Sequence, residues 1–178
     1  MVWTSDELRF KRAFDASLRR IEDRYGLPVV VTDVPDPNTG DFDGASIALD
    51  HANDLELSLF VLAHLFGHTA QWATSDEYRE LGTRYAATAP PAELWERVRQ
   101  YEEEASRYSL TLFHESGVRD LDQWLSDWAH ADWRYLAHFY QTGKRGDVRA
   151  FLRPDGPLLA PLPIPEFTPK RWVSRYSF

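Results

Sequence analysis

The stretch LFVLAHLFGHTAQWA, residues Leu59 to Ala73, decides how this sequence folds and where its chemistry lies. It is dense in apolar residues and lacks proline, and the pattern extends from Asp54 to about Thr74, which predicts a largely buried helix. Two histidines in it, His64 and His68, stand four positions apart. Residues at i and i+4 share one face of a helix, so both imidazoles can point at one ion. Zinc accepts nitrogen ligands of this kind at about 2.0–2.1 Å.

The composition limits the classes of protein that fit. The chain has 178 residues, 43% of them hydrophobic and 27% charged, which suits one globular domain. It has no cysteine, so a metal would have to be held by histidine and carboxylate side chains. A net charge of −8 argues against direct binding of nucleic acid, which requires basic surface. No apolar run approaches the roughly 18 residues of a membrane span, and the charged N-terminal stretch does not resemble a signal peptide, which favours the cytoplasm.

Hydrophobic periodicity and turn residues predict the order of elements. A capping box formed by Thr4 and Glu7 begins the first helix, and Gly26 ends it. The β-branched run LPVVVTDV and the later GASIALD predict two strands, separated by the loop PDPNTGDFDG. Helices are predicted over residues 4–25, 54–74, 76–85, 92–114 and 121–141. The result is an α+β fold, mostly helical, with a small sheet next to the histidine helix, followed by a proline-rich tail.

Two motifs resemble one protein family. The run LAHLFGHTAQ is similar to the AHELGHALQ pattern of ImmA/IrrE-type zincin-like metallopeptidases, at Ala63, His64, Gly67, His68 and Gln71. The run EEEASRYS is similar to the motif in which this family carries its third metal ligand on a later helix. The matching positions there are Glu102, Glu104, Ala105, Tyr108 and Ser109.

The resemblance implies a fold, a ligand set and a cofactor. It covers a connected portion from roughly Pro28 to Leu112 and implies a zincin-like domain, which we place at residues 1–152. The proline-rich composition after residue 152 separately predicts that residues 153–178 pack on this domain as a tail. The metal ligands are then His64, His68 and Glu102, with Glu103 and Glu104 as neighbouring alternatives to Glu102. Zinc is the expected ion, although iron or manganese also suits two histidines and one carboxylate.

One position departs from the family. The H-E-x-x-H motif has glutamate after the first histidine, where it acts as general base, and this chain has Leu65. The catalytic residues are therefore unknown. Replacement bases to consider are Glu103, Glu104 and Glu115. Candidates for a fourth ligand are His114, His130 and His138. A second metal site is also possible at His130 and His138, with Asp127 and Asp132 nearby, although the aromatic residues around them favour packing in the core. His51 lies in the loop before the histidine helix and is a candidate to line the cleft.

Three functional hypotheses follow. The leading one is a cytoplasmic, zincin-like metal-binding protein that is proteolytically inactive and acts as a regulator through a protein partner. The resemblance implies a helix-turn-helix repressor as that partner, and the strand around residues 45–49 is expected to offer it an edge. The alternatives are an active metallohydrolase with a noncanonical base, and a helical interaction protein without metal.

Overall fold

The computed structural model describes residues 4–85 and 88–172. Its first helix follows directly from its capping residues. Helix α1 (Ser5–Tyr25) begins where the Thr4 side chain accepts a hydrogen bond from the Glu7 amide, and the Glu7 side chain accepts one from the Thr4 amide. It ends at Gly26, whose φ of 66° lies in the left-handed region that glycine adopts without strain. The predicted capping box is confirmed.

A small mixed sheet follows α1. Its strands are β1 (Val29–Thr32), β2 (Gly40–Phe42) and β3 (Ile47–Asp50), in the order β1-β3-β2. β3 pairs in parallel with β1 and antiparallel with β2. The sequence predicted a loop where β2 lies, and this was wrong. This strand has only three residues and lies among residues that favour turns, so its sequence shows almost no strand pattern. Its pairing with β3 and its packing on the following helix, rather than the local sequence preference, determine that it is a strand.

The central strand also corrects the expected peptide edge. The strand around residues 45–49 was expected to offer a free edge, but β3 lies between its two neighbours. The sheet edge on the side of the histidine helix is β2 instead. Gly40 begins this strand, and a Cβ there would lie 2.6 Å from Val61 Cγ1 and 2.9 Å from Leu65 Cδ1. A larger residue there would have to displace these two side chains and would also meet the carbonyl oxygen of Ala48 at 2.9 Å, so glycine favours the close approach of β2 to this helix.

The histidine helix α2 (Leu55–Thr74) forms the centre of the fold. Asp54 caps it by accepting a hydrogen bond from the Leu57 amide. Every residue from 59 to 72 is buried, because α1, α3, α4, β2 and β3 all pack around it. A helix that is buried on all sides needs the continuous apolar composition seen in the sequence.

Three further helices complete the described fold, which across residues 4–85 and 88–172 has five α-helices and three strands. They are α3 (Asp76–Arg84), α4 (Trp95–Glu115) and α5 (Asp122–Thr142). Single 3₁₀ turns precede α4, at Ala92–Leu94, and follow α5, at Val148–Phe151. The α+β class and the sheet beside the histidine helix are confirmed. Within the described residues, no helix combines the length and apolar character that a membrane span requires.

The proline-rich tail runs over the outside of the helices. Thr111 on α4 donates a hydrogen bond of 2.7 Å to the carbonyl oxygen of Leu162. Further along, the Phe167 ring stacks on Tyr25 of α1, with ring centroids 5.5 Å apart. The described part of the tail, residues 153–172, therefore ties α1 and α4 together. The last six residues, 173–178, lie outside the described residues, as does the packing expected of them.

Candidate metal centre

Close contact between α2 and α4 builds the site. A Cβ at Gly67 would lie 2.1 Å from the carbonyl oxygen of Ala105, so the helices approach backbone to backbone at this point. One turn away, the Ser109 hydroxyl donates to the carbonyl oxygen of Ala63 at 2.7 Å and fixes the register of the two helices. Because Glu102 lies one turn before Ala105 on α4, its side chain reaches the histidines of α2.

Three predicted ligands converge at this contact. His68 Nε2 lies 3.0 Å from His64 Nε2 and 3.0 Å from Glu102 Oε2, and His64 Nε2 lies 3.2 Å from Glu102 Oε2. His68 is fully buried and Glu102 is 6% exposed. The three atoms thus form a nearly equilateral triangle inside the protein. Within the described residues it is one of two groups of histidine and acidic side chains close enough to hold an ion together.

Gln71 determines which nitrogen of His68 faces the triangle. The Gln71 amide nitrogen donates to the carbonyl oxygen of Tyr101 at 2.9 Å and to Glu104 Oε1 at 3.2 Å. Its oxygen must then face His68 Nδ1, 2.9 Å away, and an amide oxygen only accepts. His68 Nδ1 therefore carries the proton, and the lone pair of Nε2 in the neutral ring points into the triangle. This tautomer is the one that a metal-binding histidine needs, and its orientation by an outer partner is typical of metal sites.

The site keeps its carboxylate ionised despite burial. Burial by itself raises the pKa of Glu102, but when His68 is protonated on both nitrogens its charge and the hydrogen bonds that His64 and His68 donate outweigh burial, so the pKa lies well below its ordinary value. An ionised carboxylate in a dry pocket requires a positive neighbour. Either an imidazolium or a metal cation meets that requirement here.

Aromatic rings surround the histidines. The His68 ring is stacked on Phe42 of β2, with centroids 5.9 Å apart, and contacts Tyr101 of α4 at 4.4 Å. The His64 ring is stacked on Phe60, one turn earlier on α2, at 5.4 Å. These contacts lock both imidazoles in place and lower the local dielectric, which strengthens the attraction between the carboxylate and a cation.

The triangle fits a small divalent ion. A tetrahedral ion with bonds of about 2.0–2.1 Å has ligands about 3.3–3.4 Å apart, only a few tenths of an ångström more than the distances found here. The donors, two imidazoles and a carboxylate, are those that zinc accepts, and the His68 tautomer is correct for it. The residues present therefore fit the ion that the sequence implied.

The neighbouring glutamates face away from the triangle. Glu103 Oε2 pairs with Arg99 at 2.7 Å, and Glu104 accepts hydrogen bonds from Gln71 and Tyr78. Glu115 accepts a hydrogen bond from Tyr25 and lies 13 residues further along α4 than Glu102, which is about 20 Å along the helix. The proposed replacement bases Glu103, Glu104 and Glu115 are therefore not brought into the site.

The histidines suggested as a fourth ligand are also elsewhere, and those suggestions were wrong. His114 Nε2 pairs with the Asp122 carboxylate at 2.9 Å, and His130 Nε2 donates to the carbonyl oxygen of Pro157 at 2.8 Å. The His138 ring packs on Phe151. Each ring thus contacts a group outside the triangle. Among the described residues, no group able to hold an ion includes His130 or His138, so the second site suggested there is not formed.

The other group close enough to hold an ion has a structural role. It consists of Asp33, Asp50 and His51. The Asp50 carboxylate accepts hydrogen bonds from the backbone amides of Ala52 and Val34, which lower its pKa. These contacts shape the loops around β3, and Asp33 and His51 are exposed.

A cleft of about 220 Å³ opens beside the triangle. Leu65 on α2, Gly40 on β2, and Asp132 and Tyr135 on α5 line it, and so do the ligands His64 and Glu102. Leu65 is 4% exposed and presents an apolar surface where the H-E-x-x-H motif has its carboxylate. The volume is below the roughly 300–1,000 Å³ of pockets for drug-sized ligands, which argues against a large organic cofactor.

Asp132 is the site residue that the sequence did not assign to this centre. Its Oδ2 lies 3.8 Å from His64 Nε2, and its side chain is 18% exposed. The sequence placed Asp132 only in a weak second cluster with His130 and His138. One feature pointed to the interior: Asp132 follows the buried residues Leu125 and Trp128 at helical spacing, so a carboxylate lies on the inward stripe of α5.

Comparison with protein-family models, with curated proteins and with solved structures gave no significant match to this chain.

Proposed function

We propose that this chain is a zincin-like metal-binding protein that holds zinc through His64, His68 and Glu102. The observation that carries the proposal is the triangle of His64 Nε2, His68 Nε2 and Glu102 Oε2, with separations of 3.0–3.2 Å. The two-helix arrangement, with both histidines on α2 and the carboxylate on α4, supports the kinship with ImmA/IrrE-type proteins that the two sequence motifs suggest.

We further propose that ordinary proteolysis is lost. An ion held in this way supplies Lewis acidity toward water and carbonyl groups. In the H-E-x-x-H motif the glutamate accepts and returns the proton, and Leu65 has no group that does so. A positioned acid–base group contributes about 10²–10⁴-fold in rate, so hydrolysis through the usual route is slower by about that factor.

The role that remains is binding of an extended polypeptide in the cleft. Where β2 and β3 pair, the Asp43 amide donates a hydrogen bond to the carbonyl oxygen of Ser46, and the Asp50 amide donates one to the carbonyl oxygen of Thr39. This alternation turns the backbone groups of Gly40 away from β3, toward the open edge of the sheet beside the cleft. An added strand there would gain main-chain hydrogen bonds while one of its side chains enters the cleft. By the resemblance, the partner is a helix-turn-helix repressor of the cytoplasm, bound for regulation.

Metal analysis together with a gain-of-function substitution tests the proposal. The wild-type protein should bind zinc and a partner peptide but hydrolyse no peptide. Leu65→Glu restores the missing carboxylate and should bring chelator-sensitive cleavage, while Leu65→Gln, of similar size but without a base, should not. Wild-type protein without affinity for zinc would contradict the proposal and would favour the third hypothesis, a helical interaction protein without metal.

A second candidate, a hydrolase with a noncanonical base, is favoured by the carboxylate of Asp132 on the cleft wall. It predicts zinc-dependent hydrolysis by the wild-type protein that survives extensive purification and disappears in His64→Ala. Little further gain is then expected from Leu65→Glu. The two candidates therefore differ in which protein, wild type or variant, shows activity.

A further inference from the structure

The charge of the metal centre is incomplete without a fourth group. His68 is neutral when its Nε2 is a ligand, and His64 is neutral when it binds an ion as well, so Glu102 supplies the single negative charge of the triangle. A divalent cation in this buried site would leave an uncompensated positive charge, which is costly in a medium of low dielectric. In an H-E-x-x-H motif, the helix that carries the two histidines also carries a carboxylate. Leucine stands at that position, Leu65, in this chain.

Asp132 is placed to restore that charge. It lines the cleft from α5, and its Oδ2 lies 3.8 Å from His64 Nε2. This oxygen is less than 1 Å further from His64 Nε2 than the ligand atoms of the triangle are, but it does not belong to the group whose ligand atoms all lie within 4.8 Å of one another, so it approaches the triangle beside His64. Its side chain is 18% exposed, which leaves it largely shielded from solvent.

We propose that Asp132 is the fourth protein group of the metal site, and that its carboxylate replaces the charge lost at Leu65. The centre is then a set of two histidines and two carboxylates drawn from three helices, α2, α4 and α5. This inference rests on the proposed function, because it requires that the triangle binds a metal.

The set has a consequence for the choice of metal. Manganese and iron bind carboxylate oxygens more readily than softer metal ions do. Zinc, by contrast, is held well by two imidazoles and one carboxylate. Removing the Asp132 charge should therefore weaken manganese binding by a larger factor than zinc binding. It should also change the arrangement of ligands around a cobalt probe.

Chelator competition with zinc, manganese and cobalt tests this role in the full chain. Asp132→Asn removes the charge and keeps the shape, and it should weaken zinc binding by about 10–100-fold, the usual effect of losing a supporting group at a metal site. The visible absorption of the cobalt-loaded protein should change as well. The matched control is Asp147→Asn, which removes the same charge from the same cleft but at a residue that caps the turn at Val148. It should leave both readouts unchanged.

A rescue experiment separates charge from packing. Adding Leu65→Glu to Asp132→Asn returns a carboxylate from α2 and should recover most of the lost affinity. Thermal unfolding of the metal-free variants reports whether they fold, and Asp132→Ser serves as a second substitution if the asparagine variant does not. The proposal is overturned if Asp132→Asn binds all three metals as the wild type does, or if Asp147→Asn weakens them equally. Wild-type protein that binds no metal instead removes the proposed function itself.

Discussion

Replacing Gly67 by alanine tests how far the metal centre depends on the contact between α2 and α4. A Cβ at this position would lie 2.1 Å from the carbonyl oxygen of Ala105 and 2.9 Å from its Cα. These are backbone atoms, which cannot rotate out of the way as a flexible side chain does. Since Cβ atoms essentially never approach other atoms closer than 3.0 Å, the helices must separate by about 0.9 Å.

The separation affects both stability and metal binding. Overpacking of this kind costs about 1–3 kcal/mol. Alanine in a helix recovers about 1 kcal/mol relative to glycine, so a net loss of up to about 2 kcal/mol in the free energy of unfolding is expected. Because Glu102 moves with Ala105, its distance from the histidines grows by a similar 0.9 Å, well beyond the roughly 0.2 Å that metal–ligand bonds tolerate. Zinc affinity should fall on the order of 10–100-fold.

Denaturant unfolding of the metal-free protein and chelator competition with zinc measure the two effects. The control is Gly146→Ala, since a Cβ at Gly146 meets no atom within 4 Å. It should change neither quantity. If Gly67→Ala is as stable as the wild type and binds zinc equally well, the close helix contact does not position the ligands.

Two other substitutions test the surroundings of the site. Gln71→Leu removes the acceptor that fixes the His68 tautomer, and it should weaken zinc binding by about 10–100-fold. The control Gln100→Leu, on the surface of α4, should leave zinc binding unchanged. Equal zinc affinities of the two variants would show that Gln71 does not orient the ligand. Phe167→Ala removes the tail ring that contacts α1 and should lower the free energy of unfolding by about 1–3 kcal/mol, while Leu158→Ala, at a 63% exposed position of the same tail, should leave it nearly unchanged. A tail that does not stabilise the domain would give the same stability for both.

Much of the fold follows from local sequence patterns. The first helix begins and ends at residues with a defined chemical role, Thr4 and Gly26, and the apolar stretch of α2 reports its position in the core. The ligand pair His64 and His68 follows from helical spacing alone. Glu102 required the family resemblance, since three consecutive glutamates look equivalent in the sequence and only the packing of α4 turns one of them inward.

The remaining features depend on tertiary contacts that no local pattern reports. Strand β2 has three residues, and its pairing with β3 and its contact with α2 define it. Asp132 reaches the site because α5 packs beside the cleft, about 30 residues after Glu102. His114 and His130 seemed available as ligands because a sequence does not show that Asp122 and the Pro157 carbonyl already bind them.

Metal content of the protein, purified without added metal and dialysed against a weak chelator, tests most directly whether the three side chains bind one cation. Wild-type protein should retain about one ion per chain, since two imidazoles and a carboxylate within 3.0–3.2 Å of one another are donors that hold a divalent ion. His68→Ala should lose it, and His130→Ala, which alters a histidine bound to the tail, should keep it. Metal-free wild-type protein, or equal metal content in wild type and His68→Ala, would contradict the account.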